Sequence, residues 1–370
     1  MAKLGMPTFQ AAFEERGIEA IERSTRGIVA LILEESADTI AKVGTLTKLY
    51  TINDIPTDLT ETNKDYIIKA FLGYVKAPYR VLVALQPTSE DTNAEKFQTG
   101  LNLLLTERFD WLAIPTITSA QTEYVGTWIK TARDNNMKKI KAVLPGYSAD
   151  HEGVVNLSNT KIVTTTKEYK PAEYTARIAG LICGTPMTIS ATYAPLSEVV
   201  DCDRHTKDEN DTKVNAGEFF IWYDGEKFKM SRAMNSLVTT TQGKLESYQT
   251  IKIIEIMDMI YDDINTTVQD SYIGKYTNDA DNKVLLMNAI LAYLKKLEGG
   301  RLLKKNTSTV SMNIEAIKNY VMGIGKYTKD ELAKMSDDEI AFLDTKKKVF
   351  LTSNVTILDA MEDIDIVFNI

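Results

Sequence analysis

The chain has 370 residues, 44% hydrophobic and 25% charged, which excludes a collagen, a disulfide scaffold and a wholly disordered protein. Its length suffices for two or three domains whose cores need no covalent staples. With 43 Lys and Arg against 51 Asp and Glu, the net charge of −8 has the wrong sign for gripping nucleic acid through overall charge. The two cysteines, Cys183 and Cys202, and the two histidines, His151 and His205, are too few for a disulfide framework or a Cys/His metal centre.

In chain order, the first 17 residues lack the apolar run of a signal peptide, so a soluble protein without an export signal is expected. From Arg26 to Gly146 short β-branched runs alternate with helical periods. Strands are predicted over 27–33, 79–85, 110–114 and 140–144. A helix is predicted over 63–73, and two more from stripes at Phe97, Leu101, Leu104 and Leu105 and at Tyr124, Val125, Trp128, Ile129 and Ala132. Strands alternating with helices imply crossover connections and a mostly parallel sheet covered on both faces.

A strand over 161–166 and a helix over 171–182, opened by Pro171, follow. Residues 178–197 carry no charge but hold Pro186, Pro195 and several Ser, Thr and Tyr, too polar for a membrane span. The polar segment 201–216 is read as a linker and domain boundary. Asp224-Gly225, between 219–223 and 227–230, predicts a hairpin with a type I′ turn. Two long helices follow, with faces Ile253, Ile256, Met257, Ile260, Ile264 and Leu286, Ile290, Tyr293, Leu294, Leu297; Gly299-Gly300 ends the second. A charged helical stretch over 313–344 leads to two terminal strands. The expected class is therefore α/β, α+β overall.

Motifs of chemistry fail one by one. Gly323-Ile324-Gly325-Lys326 has Tyr320 where a phosphate loop needs its first glycine and Tyr327 after the lysine. Asp208, Asn210 and Thr212 mimic the start of a calcium loop, but Lys213 replaces the turn glycine and no Glu closes it. Glu255, Asp258 and Asp262 form an acidic stripe, read as a solvated or partner-facing helix side. Ser148, Asp150 and His151 lie together after a strand end, with no nucleophile elbow; they read as a loop satisfying its own turns. No metal or cofactor is expected. The competing reading is an α/β enzyme with its site at loops 86–91, 115–119 and 145–151, where open α/β sheets bind ligands.

The final residues are unusual for a solvated chain end. Ile364, Ile366, Phe368 and Ile370 alternate with Asp365, Val367 and Asn369, a strand with one face to bury and free backbone edges. It could complete its own sheet or be donated to a neighbour's.

Taken together the chain resembles the sheath proteins of contractile phage tails, most nearly the short sheaths of clostridial R-type bacteriocins (diffocins) and of defective Bacillus prophages. The likeness runs through ERSTRGIVALIL, KAVLPGYSADHEGVVN, ARIAGLICGTPMTISATY, SRAMNSLVT, IKIIEIMDMIYDDI, YIGKYTNDADNK and ILDAMEDIDIVFNI in that order. The arginine-pair helix motif of larger myophage sheaths is absent.

The resemblance implies a polymer of stacked hexameric rings around a tail tube. It is assembled in the bacterial cytoplasm, contracts without nucleotide, and meets baseplate and tail-terminator proteins but neither nucleic acid nor membrane. It implies an N-terminal arm over 1–20, an outer α/β domain over 21–205, an inner tube-facing domain over 206–350 and a C-terminal arm strand over 351–370. Phe9, Phe13, Ile364, Ile366, Phe368 and Ile370 would link subunits through the arms. The basic residues Lys295, Lys296, Arg301, Lys304 and Lys305 concentrate positive charge in an otherwise acidic chain, which reads either as a surface facing an acidic tube or as a solvated helix end.

Overall fold

A computed structural model describes Ile21 and residues 26–36, 43–89 and 92–369. Phe9, Phe13 and Ile370, and the arm expected over 1–20, lie outside these residues. The chain divides into two compact units, one built on Arg23–Asp262 with Ile357–Ile370, the other on Asp263–Thr356. The first unit thus runs past the boundary expected at 205/206.

The first unit opens with β1 (Ile28–Glu35), β2 (Leu46–Leu49), α1 (Glu61–Phe71), β3 (Arg80–Pro87), α2 (Gln98–Leu104), β4 (Trp111–Ala113), α3 (Ser119–Asp134), β5 (Lys141–Pro145) and β6 (Val154–Leu157). It continues with β7 (Ile162–Thr164), β8 (Glu168–Tyr169), α4 (Pro171–Cys183), β9 (Val199–Cys202), α5 (Lys207–Asn215), β10 (Glu218–Phe219), β11 (Ile221–Tyr223) and β12 (Phe228–Met230). A seven-stranded sheet runs β10-β6-β5-β4-β1-β3-β2. Its pairs are parallel except β2, which runs antiparallel to β3.

Side chains alternate across a strand, and β1 shows what that does in a covered sheet. Val29, Leu31 and Leu33 enter one core with Tyr66, Ile67 and Ala70 of α1 and Ala176, Ile178 and Ala179 of α4. Ile28, Ala30 and Ile32 enter the other with Leu101 of α2 and Val125 and Ile129 of α3. Both faces are apolar, so the strand reads as a continuous run.

α1 and α4 cross so closely that a Cβ on Gly180 would lie 2.0 Å from the Ala70 carbonyl oxygen. Glycine is required there because backbone cannot yield to it. The uncharged stretch 178–197 is the end of this buried helix followed by loop.

Two local expectations are corrected. The polar linker contains a helix, α5, whose Thr206 and Glu209 form a reciprocal capping box. Caps, not an apolar face, hold it, since none of its residues is buried. In the hairpin, β11 pairs with β12 from Ile221↔Met230 to Tyr223↔Phe228, but Phe219 belongs to β10 and extends the main sheet beside β6.

α6 (Ile251–Thr267) starts in this unit, and its residues from Asp263 belong to the second. There follow α7 (Ala280–Gly299), β13 (Thr309–Met312), α8 (Ile314–Gly323), α9 (Lys329–Leu332), α10 (Asp337–Ala341) and β14 (Leu351–Asn354). The charged stretch is three short helices around Met312, Ile317, Val321, Leu332 and Ile340. Thr328 with Glu331 and Ser336 with Glu339 cap the last two. β13 and β14 pair antiparallel from Thr309↔Asn354 to Met312↔Leu351. In place of a second terminal strand, residues 358–369 carry no regular secondary structure.

Candidate assembly surfaces

The loops proposed for an enzyme site are occupied by their own hydrogen bonds. Glu34, at the end of β1, accepts from Thr116 Oγ1 at 2.7 Å and pairs with Lys96 at 3.1 Å. Ser89 N reaches the same carboxylate at 3.4 Å, so the loops 86–89 and 115–119 close on one residue. Residues 90 and 91 lie outside the described chain. Loop 145–151 turns elsewhere: Asp150, at φ 48°, accepts from the amides of Val238 and Thr239 at 2.8 and 2.9 Å. Ser148 Oγ accepts from Asn156 Nδ2 at 3.3 Å. The three polar residues singled out there satisfy turns, and no nucleophile meets a base among them.

Among the described residues one group of potential metal donors converges, Asp134, His151 and Glu152, with donor atoms within 4.8 Å of one another. Its donors are taken up by hydrogen bonds and an ion pair to Lys244. His151 Nδ1 accepts from Gly153 N at 2.9 Å, which leaves the neutral ring's proton on Nε2, facing Asp134 at 3.3 Å. Glu152 is taken by Lys244 at 3.1 Å. Burial lowers the His151 pKa, although Glu152 and Asp134 oppose that. The Gly323–Lys326 segment is the end of α8, with Gly325 at φ 69°.

The acidic stripe of α6 is not solvated, which corrects the reading of Glu255, Asp258 and Asp262. Asp258 is 3% exposed. It receives both terminal nitrogens of Arg133 at 2.9 and 3.0 Å and Lys141 Nζ at 2.8 Å. Glu255 accepts from Trp111 Nε1 at 2.8 Å and pairs with Lys141 at 3.0 Å. Asp262 pairs with Arg26, which also holds Asp110 at 2.9 Å. Burial alone would raise the Asp258 pKa, but Lys141 and Arg133 outweigh it and hold the carboxyl below its usual range. Burial instead wins at Asp262, whose pKa is raised despite Arg26 and Arg108. The stripe looked solvated because its counter-charges sit on β5, α3 and the entry to β1, more than a hundred residues away.

The C-terminal segment is the converse. Met361 is 93% exposed, Ile364 71%, Ile366 66% and Phe368 82%. Among the described residues its alternating face is uncovered and its backbone joins no sheet. Upstream, residues 358–363 are held: Lys252 Nζ donates to Leu358 O at 2.8 Å and Thr192 Oγ1 to Glu362 at 2.6 Å. Arg232 pairs with Glu362 and Asp363. No periodicity announces these anchors, which are single polar residues in loops and one on α6.

The five basic residues are all exposed. Lys295 and Lys296 lie near the end of α7, Lys296 in its last turn, and Arg301, at φ 58°, starts the loop carrying Lys304 and Lys305. Glu298 shapes that loop by accepting from the amides of Asn306 and Ser308 at 3.0 and 2.9 Å, and it pairs with Lys295 at 3.1 Å. The cations Lys296, Arg301, Lys304 and Lys305 thus surround one ordered turn.

No described helix is long and apolar enough to cross a membrane. A family model for the phage tail sheath protein central domain matches residues 90–236, and one for the phage tail sheath C-terminal domain matches residues 244–370. The chain is 34% identical over 371 residues to the tail sheath protein of Clostridium phage phiCD119, covering 98% of each. It is 29% identical over 163 residues to the phage-like element PBSX protein XkdK of Bacillus subtilis strain 168, covering 43% of this chain and 35% of that one. Its fold is similar to the helical sheath of the anti-feeding prophage in its contracted state, with a TM-score of 0.70, 15% identity and 99% of both chains covered.

Proposed function

The chain belongs to the phage tail sheath family, a structural subunit of a contractile tail, and from that premise we propose how it assembles. Subunits stack as rings around a tail tube, and each donates the apolar strand at its C-terminal end to a neighbour's sheet. The carrying observation is the exposure of Ile364, Ile366 and Phe368 on a segment that joins no strand among the described residues. Added strands gain main-chain hydrogen bonds worth about 0.5–1.5 kcal/mol net each. Burying each such side chain contributes about 1.5–3 kcal/mol. Asp363 and Asp365 keep the unpaired strand from sticking to the wrong edge.

The cations around Arg301 face the tube and meet acidic groups there, steering and holding it. The subunit assembles in the bacterial cytoplasm with tube, baseplate and terminator proteins and performs no catalysis. The described residues of the loops proposed for an enzyme site are tied internally, which supports that reading. Electron micrographs of the purified protein test the proposal: tubes of sheath width are expected, and discrete particles at every concentration and salt tried would contradict it.

A further inference from the structure

The C-terminal segment is not uniform. Its first half is anchored on the first unit and its second half is not, and the change falls between Asp363 and Ile364. Three side chains make the anchor. Lys252 is buried, 6% exposed, and its ammonium donates to the carbonyl of Leu358 at 2.8 Å. A buried ammonium must find acceptors, and a main-chain carbonyl provides one without adding a charge. Thr192 is fixed from both sides, accepting from Ala233 N at 2.9 Å while donating to Glu362 at 2.6 Å.

Arg232, next to Ala233 in the chain, reaches both Glu362, at 3.4 Å, and Asp363. The next residue after Thr192, Tyr193, sits at φ 56°, a conformation rare for a non-glycine residue and kept where surrounding structure holds it. Between the segment and the loop 246–250 lies a cleft of about 810 Å³ lined by Arg232, Met234, Thr250 and Met361.

We propose that Thr192, Arg232 and Lys252 form a cradle for residues 358–363, which sets the launching point of the linking strand at Ile364. The inference rests on the reading of the strand as an intersubunit link and adds what controls its reach. Anchored at Asp363, residues 364–369 extend at most about 20 Å, at roughly 3.4 Å per residue. Released back to Ile357, the same segment reaches about 44 Å. The cradle therefore separates a short tether from one about twice as long. Its charged half is partly exposed and so is weakened by salt.

The test is made on the unassembled full chain. A nitroxide on Met361→Cys reports the mobility of the anchored half; Cys183 and Cys202 are buried and do not compete for the label. An immobilised spectrum is expected, loosening with added salt. Arg232→Glu should mobilise the label, and adding Glu362→Lys with Asp363→Lys should restore it. Exposed ion pairs of this kind shift a population by about fivefold. If Arg232→Glu does not fold, Glu362→Lys with Asp363→Lys alone gives the same reading. A label as mobile in the parent as in these variants overturns the cradle. Ile366→Asp separates the two readings: normal tubes from that variant refute the linking strand while leaving an immobilised label, and hence the cradle, standing.

Discussion

Asp258 on α6 keeps 3% of its surface, whereas Phe368 near the C-terminal end keeps 82%. In the first, carboxylates lie inside, neutralised by Arg133 and Lys141; in the second, an apolar face lies outside, uncovered by the described residues. A residue's own character does not decide burial, and what does is whether a complementary group is brought to it. For Asp258 the complement is in the same chain, supplied by α3 and β5. For Ile364, Ile366 and Phe368 the described chain offers none, and a second subunit is the natural source.

The largest effect expected on that contrast comes from removing the buried charge. Asp258→Ala takes from Arg133 its bidentate partner and leaves Lys141 only Glu255, which should cost about 3–5 kcal/mol of stability in a denaturant titration. Combining it with Lys141→Met should recover part of the loss, since the two are directly coupled. A loss below about 1 kcal/mol would mean that water reaches the network.

The same carboxylate predicts a pH dependence. Its folded pKa lies below the usual 3.8, so its contribution is complete above about pH 4 and falls away as acid protonates the folded form. Asp258→Ala should therefore lose stability less steeply than the parent below pH 4, and parallel curves would contradict the assignment.

A smaller effect is expected at the basic turn. Replacing Lys296, Arg301, Lys304 and Lys305 with Glu should weaken co-sedimentation with tubes, most visibly at low salt, with the melting temperature unchanged. Unaltered attachment would remove this turn from the tube interface.

The smallest concerns His151. Burial lowers its folded pKa below the usual 6.5, so the unfolded chain takes up the proton first and stability declines as pH falls below about 6.5. His151→Gln should flatten that decline, measured as melting temperature between pH 7 and pH 5.

What the sequence could show follows the same division. The apolar run of β1, the helical stripes of α3 and α7 and the Pro171 start of α4 are local patterns, and each appears in the structure where local reading puts it; the hairpin turns at Asp224-Gly225 too, but not as the expected type I′ turn, since of the two only Gly225, at φ 104°, takes a positive φ. β6, β9, β10 and β13 were missed because strands of two to four residues carry too little period to register. α5 looks like a linker in the sequence because caps, not apolar spacing, hold it.

Partners distant in sequence were the deeper omission. Nothing near Asp258 signals Arg133 or Lys141, and nothing near Glu362 signals Arg232 or Thr192. The apolar alternation at 364–370 was legible, while its lack of a partner within the described chain became visible only in three dimensions.

The central claim is that this strand finishes its folding on another subunit, and Ile366→Asp tests it most directly. The variant places a charge on the face proposed to be buried between subunits and touches nothing that holds the monomer together. Sedimentation after polymerisation, with circular dichroism and melting of the same sample, reads both sides at once. The account predicts a folded subunit with the parent's melting temperature that stays in the supernatant. Pelleted tubes indistinguishable from the parent's, or a subunit that no longer folds, would contradict it.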